Sequence, residues 1–267
     1  MKKSLSLSVA IFLFATLVIG IVSVQADGIK TLVVGFDQDF PPYGYIGEDG
    51  NFTGYDLELA EAAADIMGLE IVYQPISWDS KDLELDSGTI DCIWNGFTIN
   101  EREDKYTWTE AYKGAGQVFL VSADSDIKTF DDLKDKVVAV QTDSAGLYAI
   151  QDEKNKELLD SFKELLVVPQ YNEAFMDLEA GAVDAIILDI DVAKFQIKGK
   201  ESKYRILDEY LQKEEYGVGF KLGNTELRDK VQEALNEMAK NGTFAKLSEK
   251  YFGYDSCIMA ACLANEK

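Results

Sequence analysis

Residues 90–112 read IDCIWNGFTINEREDKYTWTEAY, and three residue types in that stretch suit the holding of a small charged molecule. Gly96 lets backbone come close to a ligand. Thr98 offers a hydroxyl, and Arg102 offers a planar fork of donors that matches one carboxylate. Taken alone, the segment reads more readily as a strand, a turn and a surface arginine paired with Glu101 or Asp104, and the rest of the chain reverses that balance. Histidine is absent from the chain. That removes His-based nucleophile activation, His general bases and His metal ligands. Cys92 lies inside the apolar run and is expected to pack as a small hydrophobe, while Cys257 and Cys262 follow the last long helix. With no fourth cysteine, a zinc site is not expected, and no cofactor is implied.

The elements that must position these residues follow an exported start. Met1-Lys2-Lys3, an apolar run over 9–22 and the ending Val24-Gln25-Ala26 describe a secretory signal over 1–26, with the mature chain beginning near Asp27. An uncleaved anchor is the other reading, but the run is short for a span of roughly 20 residues. No cysteine follows it for lipid attachment, so a free periplasmic protein is expected. A disulfide between Cys257 and Cys262 is expected in that oxidising compartment. The chain carries formal charge −22, and loss of Lys2 and Lys3 makes it more acidic still. Such a surface repels phosphate backbones and anionic lipid, which argues against nucleic-acid binding.

Strand and helix patterns alternate along the rest. Strands are expected at TLVVGF (31–36), EIVYQPI (70–76), 90–97, QVFLVS (from 117), KVVAVQ (136–141), LLVVP, VDAIIL (183–188) and GVGFK after Tyr216. Residues 37–53 form a loop with Pro41-Pro42. Helices are expected over 54–67, with Leu57, Ala60, Ala64 and Met67 along one side, and over 79–87. Others start after Thr129 as N-cap, near Ser144, at Asn172 as N-cap, near Asp189, at 225–240 and at 244–251. The alternation implies an α/β chain with mainly parallel sheets. No Pro-, Ser- or Gly-rich linker divides it, so two closely joined lobes fit better than two separate beads.

Five segments, in order, resemble the extracellular solute-binding proteins of polar amino-acid ABC transporters, and the resemblance covers nearly the whole mature chain. They are Gly35-Phe36-Asp37 through Phe40-Pro41-Pro42-Tyr43, GYDLELAEAAADIM (54–67), GFTINER (96–102), Val183-Asp184-Ala185 through Asp189-Ile190-Asp191-Val192, and TFAKLSEKYFG (243–253). The resemblance implies the two-lobed periplasmic-binding-protein fold, with a ligand cleft between lobes joined by two hinge strands. Lobe one would be 27–116 plus 216–267, and lobe two 117–215.

Roles implied by the resemblance fall on ten residues. Arg102 would take the α-carboxylate of a free amino acid, with Gly96 and Thr98 at the same end. Ser144 and Ala145 would open a helix toward that carboxylate, and Gln141 ends the strand before them. Asp189 would face the α-ammonium, or serve as an N-cap, or do both. Phe40 and Trp78 would sandwich the aliphatic stem, whereas Trp94 reads as core. Asp37 would face the side chain, favouring a basic or amide group. Three departures from the family pattern stand out: a segment one residue shorter between Thr98 and Arg102, Asp143 in place of a usual glycine, and Ala111 in place of a proline before the hinge. The expected activity is capture by a monomer and delivery to an ABC permease. The other classes are an exported cyclohexadienyl dehydratase on the same fold, with Glu173 or Asp37 as general acid, and a ligand-sensing module for a separate partner.

Overall fold

The computed structural model describes residues 30–263, so the expected signal segment 1–26 lies outside them. Thr31–Phe36 is a strand as its run of Val, Leu and Phe dictates, and Leu32, Val34 and Phe36 are buried. It sits in a five-stranded sheet with the order Glu70–Pro75, Thr31–Phe36, Cys92–Ile93, Gly219–Phe220, Thr107–Trp108. The first three strands are parallel, and Gly219–Phe220 runs antiparallel to both of its neighbours.

The second sheet holds Glu164–Val168, Val137–Gln141 and Ala185–Asp189 in parallel, then the long strand Lys113–Ser122 antiparallel to them, then Tyr204–Ile206. Gln212–Tyr216 also pairs antiparallel with Lys113–Ser122, with Lys113 opposite Tyr216 and Gln117 opposite Gln212. Both sheets are therefore mixed, not mainly parallel. The strands that return the chain to an earlier sheet enter against the local direction, which strand–helix alternation alone does not reveal. Each sheet with its helices makes one lobe of the α/β fold, and the expected lobe limits fall inside the pair Lys113–Ser122 and Gln212–Tyr216.

Helix Tyr55–Met67 buries Leu57, Ala60 and Ala64 against helix Thr225–Asn241, which buries Leu227, Val231, Leu235 and Met238. Each such leucine contributes about 1.5–3 kcal/mol of transfer free energy. Several local expectations change. The loop 37–53 holds three short strands, Asp39–Phe40, Gly44–Ile46 and Phe52–Thr53, paired as a meander. Only Cys92–Ile93 of 90–97, and Gly219–Phe220 of GVGFK, are laddered. The strand expected from 117 begins at Lys113, and the helix expected over 79–87 opens with a 3-10 turn at Trp78–Ser80. Asn172 is not an N-cap: helix Tyr171–Ala180 starts one residue earlier, and the Asn172 amide instead donates to Asp39 Oδ1 at 2.8 Å. Ser144 does cap, accepting from the Leu147 N–H at 3.1 Å.

Cys257 and Cys262 form a disulfide, and Cys92 is buried and free. The tail around the disulfide packs beside the start of the long strand: Met259 is buried and the Ile258 N–H donates to the Tyr112 carbonyl at 3.1 Å.

Candidate functional site

A cavity lies between the lobes. Strand ends and the loops after them build its wall, which is where side chains and free backbone groups of an α/β sheet converge. Nine of the ten residues singled out in the sequence line it: Asp37, Phe40, Trp78, Gly96, Thr98 and Arg102 from lobe one, and Gln141, Ser144 and Ala145 from lobe two. Asp189 does not. Asn95, Gln117, Tyr171 and Tyr216 complete the wall and were not singled out.

Gly96 shows why the strand expected over 90–97 stops early. The chain turns there with φ of 55°, and a Cβ would meet Phe40, Tyr43 and Tyr216 at 3.0 to 3.3 Å. Its N–H donates to the Asp56 carboxylate, which also accepts from the Tyr112 hydroxyl at 2.8 Å. Burial pushes Asp56 up to about 7.

Arg102 is 2 % exposed. Its guanidinium donates to the Asp143 carbonyl at 2.9 Å and to the Thr98 carbonyl at 3.3 Å, and lies 4.8 Å from the Tyr148 ring. Both acceptors are neutral, so its charge is not cancelled by a paired acid among the described residues. Glu101, with φ of 67°, carries the tight turn that brings Arg102 round after the shortened segment.

Asp143 also has positive φ, at 55°, which accounts for the glycine expected at its place. Its carboxylate does not line the cavity. It accepts from Lys81 Nζ at 2.7 Å and from the Tyr148 hydroxyl at 3.0 Å, while its carbonyl also accepts from Trp78 Nε1 at 3.1 Å. Burial raises the pKa of Asp143, but Lys81 and Tyr148 together hold it below the usual carboxylate range.

Asp37 is buried and held by the Asp39 N–H at 2.9 Å and by Gln141 Nε2, across the cleft, at 2.8 Å. Burial raises its pKa despite both bonds. Phe40 stacks between Tyr43 and Tyr171, with ring centroids 5.7 and 5.9 Å away. Trp94 is buried in the core.

Asp189 caps helix Ile190–Ile197, its Oδ1 accepting from the N–H groups of Asp191 at 2.8 Å and Val192 at 3.0 Å. Its other oxygen accepts from the Tyr216 hydroxyl, which links it to the cavity wall. Burial, reinforced by the Asp191 charge, raises it to about 6. Glu214, next to Tyr216, is likewise buried and raised to about 7, by desolvation first and Asp189 second. Lys113 is spoken for by Asp191, at 2.6 Å. Around the cavity, Arg102 therefore stands against three carboxylates without ion-pair partners among the described residues: Asp37, Asp189 and Glu214. Glu173, by contrast, is exposed and outside the wall.

The sequence signal for the missed residues was faint. Tyr216 and Glu214 alternate with exposed Lys213 and Glu215 on the strand Gln212–Tyr216, a period of two that marks an inward face. Asn95 and Gln117 are amides in apolar runs, a buried polar signal shared by many structural residues.

The model of the bacterial extracellular solute-binding proteins, family 3, matches residues 32–254. The L-cystine-binding protein TcyJ of Escherichia coli (strain K12) is 35% identical over 231 residues, 84% of each chain. The arginine-binding extracellular protein ArtP of Bacillus subtilis (strain 168) is 32% identical over 229 residues, 84% of this chain and 87% of that one. Among solved structures, the substrate-binding protein of an ABC uptake transporter from Streptococcus pneumoniae, with bound histidine, superposes with a TM-score of 0.81. It is 33% identical and the match covers 86% of this chain and 95% of that one.

Proposed function

Because the chain belongs to the bacterial extracellular solute-binding proteins, family 3, we propose that it captures a free polar amino acid in the interlobe cavity and delivers it to an ABC permease. The observation that carries this reading is the charge layout of a buried cavity. Arg102 is not ion-paired among the described residues, Asp37 lines the same cavity, and Asp189 and Glu214 stand behind the Tyr216, Thr98 and Gln117 side chains of its wall. A free amino acid carries the complementary pair of charges. Arg102 takes the α-carboxylate, beside the Ser144–Ala145 turn. Asp189, reached through the Tyr216 hydroxyl, balances the α-ammonium. Phe40 and Trp78 flank the stem, and Asp37 receives the side chain.

The excess of acid over base favours a basic or amide side chain over a second carboxylate. The arginine-binding relative and the solved structure with bound histidine hold side chains with nitrogen donors, which supports the same class, whereas cystine, the ligand of the TcyJ relative, brings a second ammonium together with a second carboxylate. Capture rather than catalysis is the role, carried out by an exported monomer. A dehydratase needs a general acid in the cleft; of the two candidates, Glu173 is exposed and outside the wall, and Asp37, which lines it, has both oxygens engaged by the Asp39 N–H and Gln141 Nε2.

The test is thermal unfolding of the mature protein against the twenty amino acids, ornithine and cystine. A ligand at 100 times its Kd adds roughly 2.7 kcal/mol. One or a few polar amino acids should raise the midpoint, and Arg102→Ala should abolish the rise. No rise with any of them would overturn the reading, and turnover of prephenate or arogenate would replace it with the dehydratase.

A further inference from the structure

Glu214 does not line the cavity, yet its carboxylate engages the protons of two groups that do. Oε2 accepts from Thr98 Oγ1 at 3.0 Å and Oε1 from Gln117 Nε2 at 2.8 Å, while the Tyr216 hydroxyl, 3.3 Å from Oε1, gives its one proton to Asp189. Glu214 is raised to about 7, and above that pH its ionised carboxylate is acceptor-only, so each neighbour must turn a donor toward it. A hydroxyl has one proton, and a carboxamide has its nitrogen at one end and its oxygen at the other. With those protons committed to Glu214, what Thr98 and Gln117 can offer a ligand is lone pairs. Gln117 Oε1 is buried without a hydrogen-bond partner. It fits there because residue 146 is glycine: a Cβ at Gly146 would come within 2.8 Å of it.

We propose that Glu214 is a positioning residue that sets the hydrogen-bond polarity of the cavity floor, making Thr98 Oγ1 and Gln117 Oε1 acceptors that select a protonated nitrogen. This rests on the amino-acid reading above and changes one part of it. Thr98 was expected to serve the carboxylate end through its hydroxyl, but a hydroxyl whose proton is committed elsewhere faces an ammonium or guanidinium. The carboxylate end is then left to Arg102. The Glu214 charge, a residue's length behind the wall, adds attraction for the same cation and repels a second carboxylate on the ligand.

A glutamine at 214 can accept with its oxygen but must also donate, so it forces either Thr98 or Gln117 to turn around. Titration calorimetry of the mature protein with L-arginine, L-histidine, L-glutamine and L-cystine reads the consequence. For each amino acid that the wild type binds, Glu214→Gln and Thr98→Val should each weaken binding by at least about tenfold, while Thr98→Ser stays within about threefold. Because the two groups act as one unit, the double variant should lose little more than either single one. Wild-type affinity in Glu214→Gln, or strictly additive losses in the double variant, would overturn the inference while leaving the amino-acid reading intact. If Glu214→Gln does not fold, Thr98→Val decides: a tenfold loss supports the assignment and an unchanged Kd refutes it. A wild-type protein that binds none of the four, nor any other amino acid, removes the reading and the inference together.

Discussion

Lys81 Nζ lies 2.7 Å from Asp143 Oδ2, joining the first turn of helix Lys81–Ser87 in lobe one to the turn after strand Val137–Gln141 in lobe two. The pair is lopsided, because the Lys81 side chain is 1 % exposed and that of Asp143 is 35 % exposed. The same Asp143 receives Arg102 and Trp78 on its carbonyl, so one residue fastens three lobe-one side chains over the cavity mouth.

That asymmetry predicts unequal mutants. Removing the lysine leaves a half-exposed aspartate that water can solvate. Removing the acid leaves a buried cation with only the exposed Asp82 carboxylate, 3.9 Å away, as counter-charge, a situation that costs about 1–3 kcal/mol. Asp143→Asn should therefore weaken ligand binding by about tenfold or more and Lys81→Met by only a few-fold. Small-angle scattering of the liganded variants should show a larger radius of gyration for Asp143→Asn, as closure is lost. Equal effects, or a stronger one from Lys81→Met, would contradict this account.

Asp37 carries a second prediction, about selectivity. Its two oxygens accept from Asp39 and Gln141, and its charge faces the cavity. Asp37→Asn removes the charge at nearly constant shape, and its new amide donor is met by Gln141 turning its carboxamide oxygen toward it. Affinity for a cationic amino acid should fall by about tenfold, while an amide amino acid changes by less than about threefold. Competition binding between arginine and glutamine measures the ratio. A ratio unchanged by the substitution would place the side chain of the ligand elsewhere.

The third prediction concerns pH. Asp56, Asp189 and Glu214 have pKa values raised to about 7, 6 and 7, chiefly by burial. A carboxylate whose folded pKa is raised binds protons more tightly in the folded state. The folded protein thus holds more protons than the unfolded chain between roughly pH 7 and pH 4, and stability rises as pH falls through that window. The unliganded protein should melt several degrees higher near pH 5 than near pH 8. Cation binding should weaken over the same range, since the carboxylates that attract the ligand become neutral. A melting point that falls steadily from pH 8 to pH 5 would show that these groups are not buried as described.

Much of this protein is written locally. Apolar periodicity marked the helix Tyr55–Met67 and the strand Thr31–Phe36, because their burial repeats at the intervals a helix and a strand impose. Two of the five motifs, 35–43 and 96–102, hold five of the nine cavity residues, because each lies at the end of its own strand; Trp78, Gln141, Ser144 and Ala145 fall outside the motifs. What the residues around 90–97 could not show was how little of that run is laddered. That depends on Gly219–Phe220, more than a hundred residues away in the chain.

The unread part is the part made of long-range charge. Where the Asp143 carboxylate turns is decided by Lys81, and whether Thr98 donates or accepts is decided by Glu214, on the strand Gln212–Tyr216 that returns the chain between the lobes. Composition and spacing fix which groups a chain owns and which neighbours lie a turn away. Only the packed structure decides which charges lose their water together, and so which proton each hydroxyl and amide must give up.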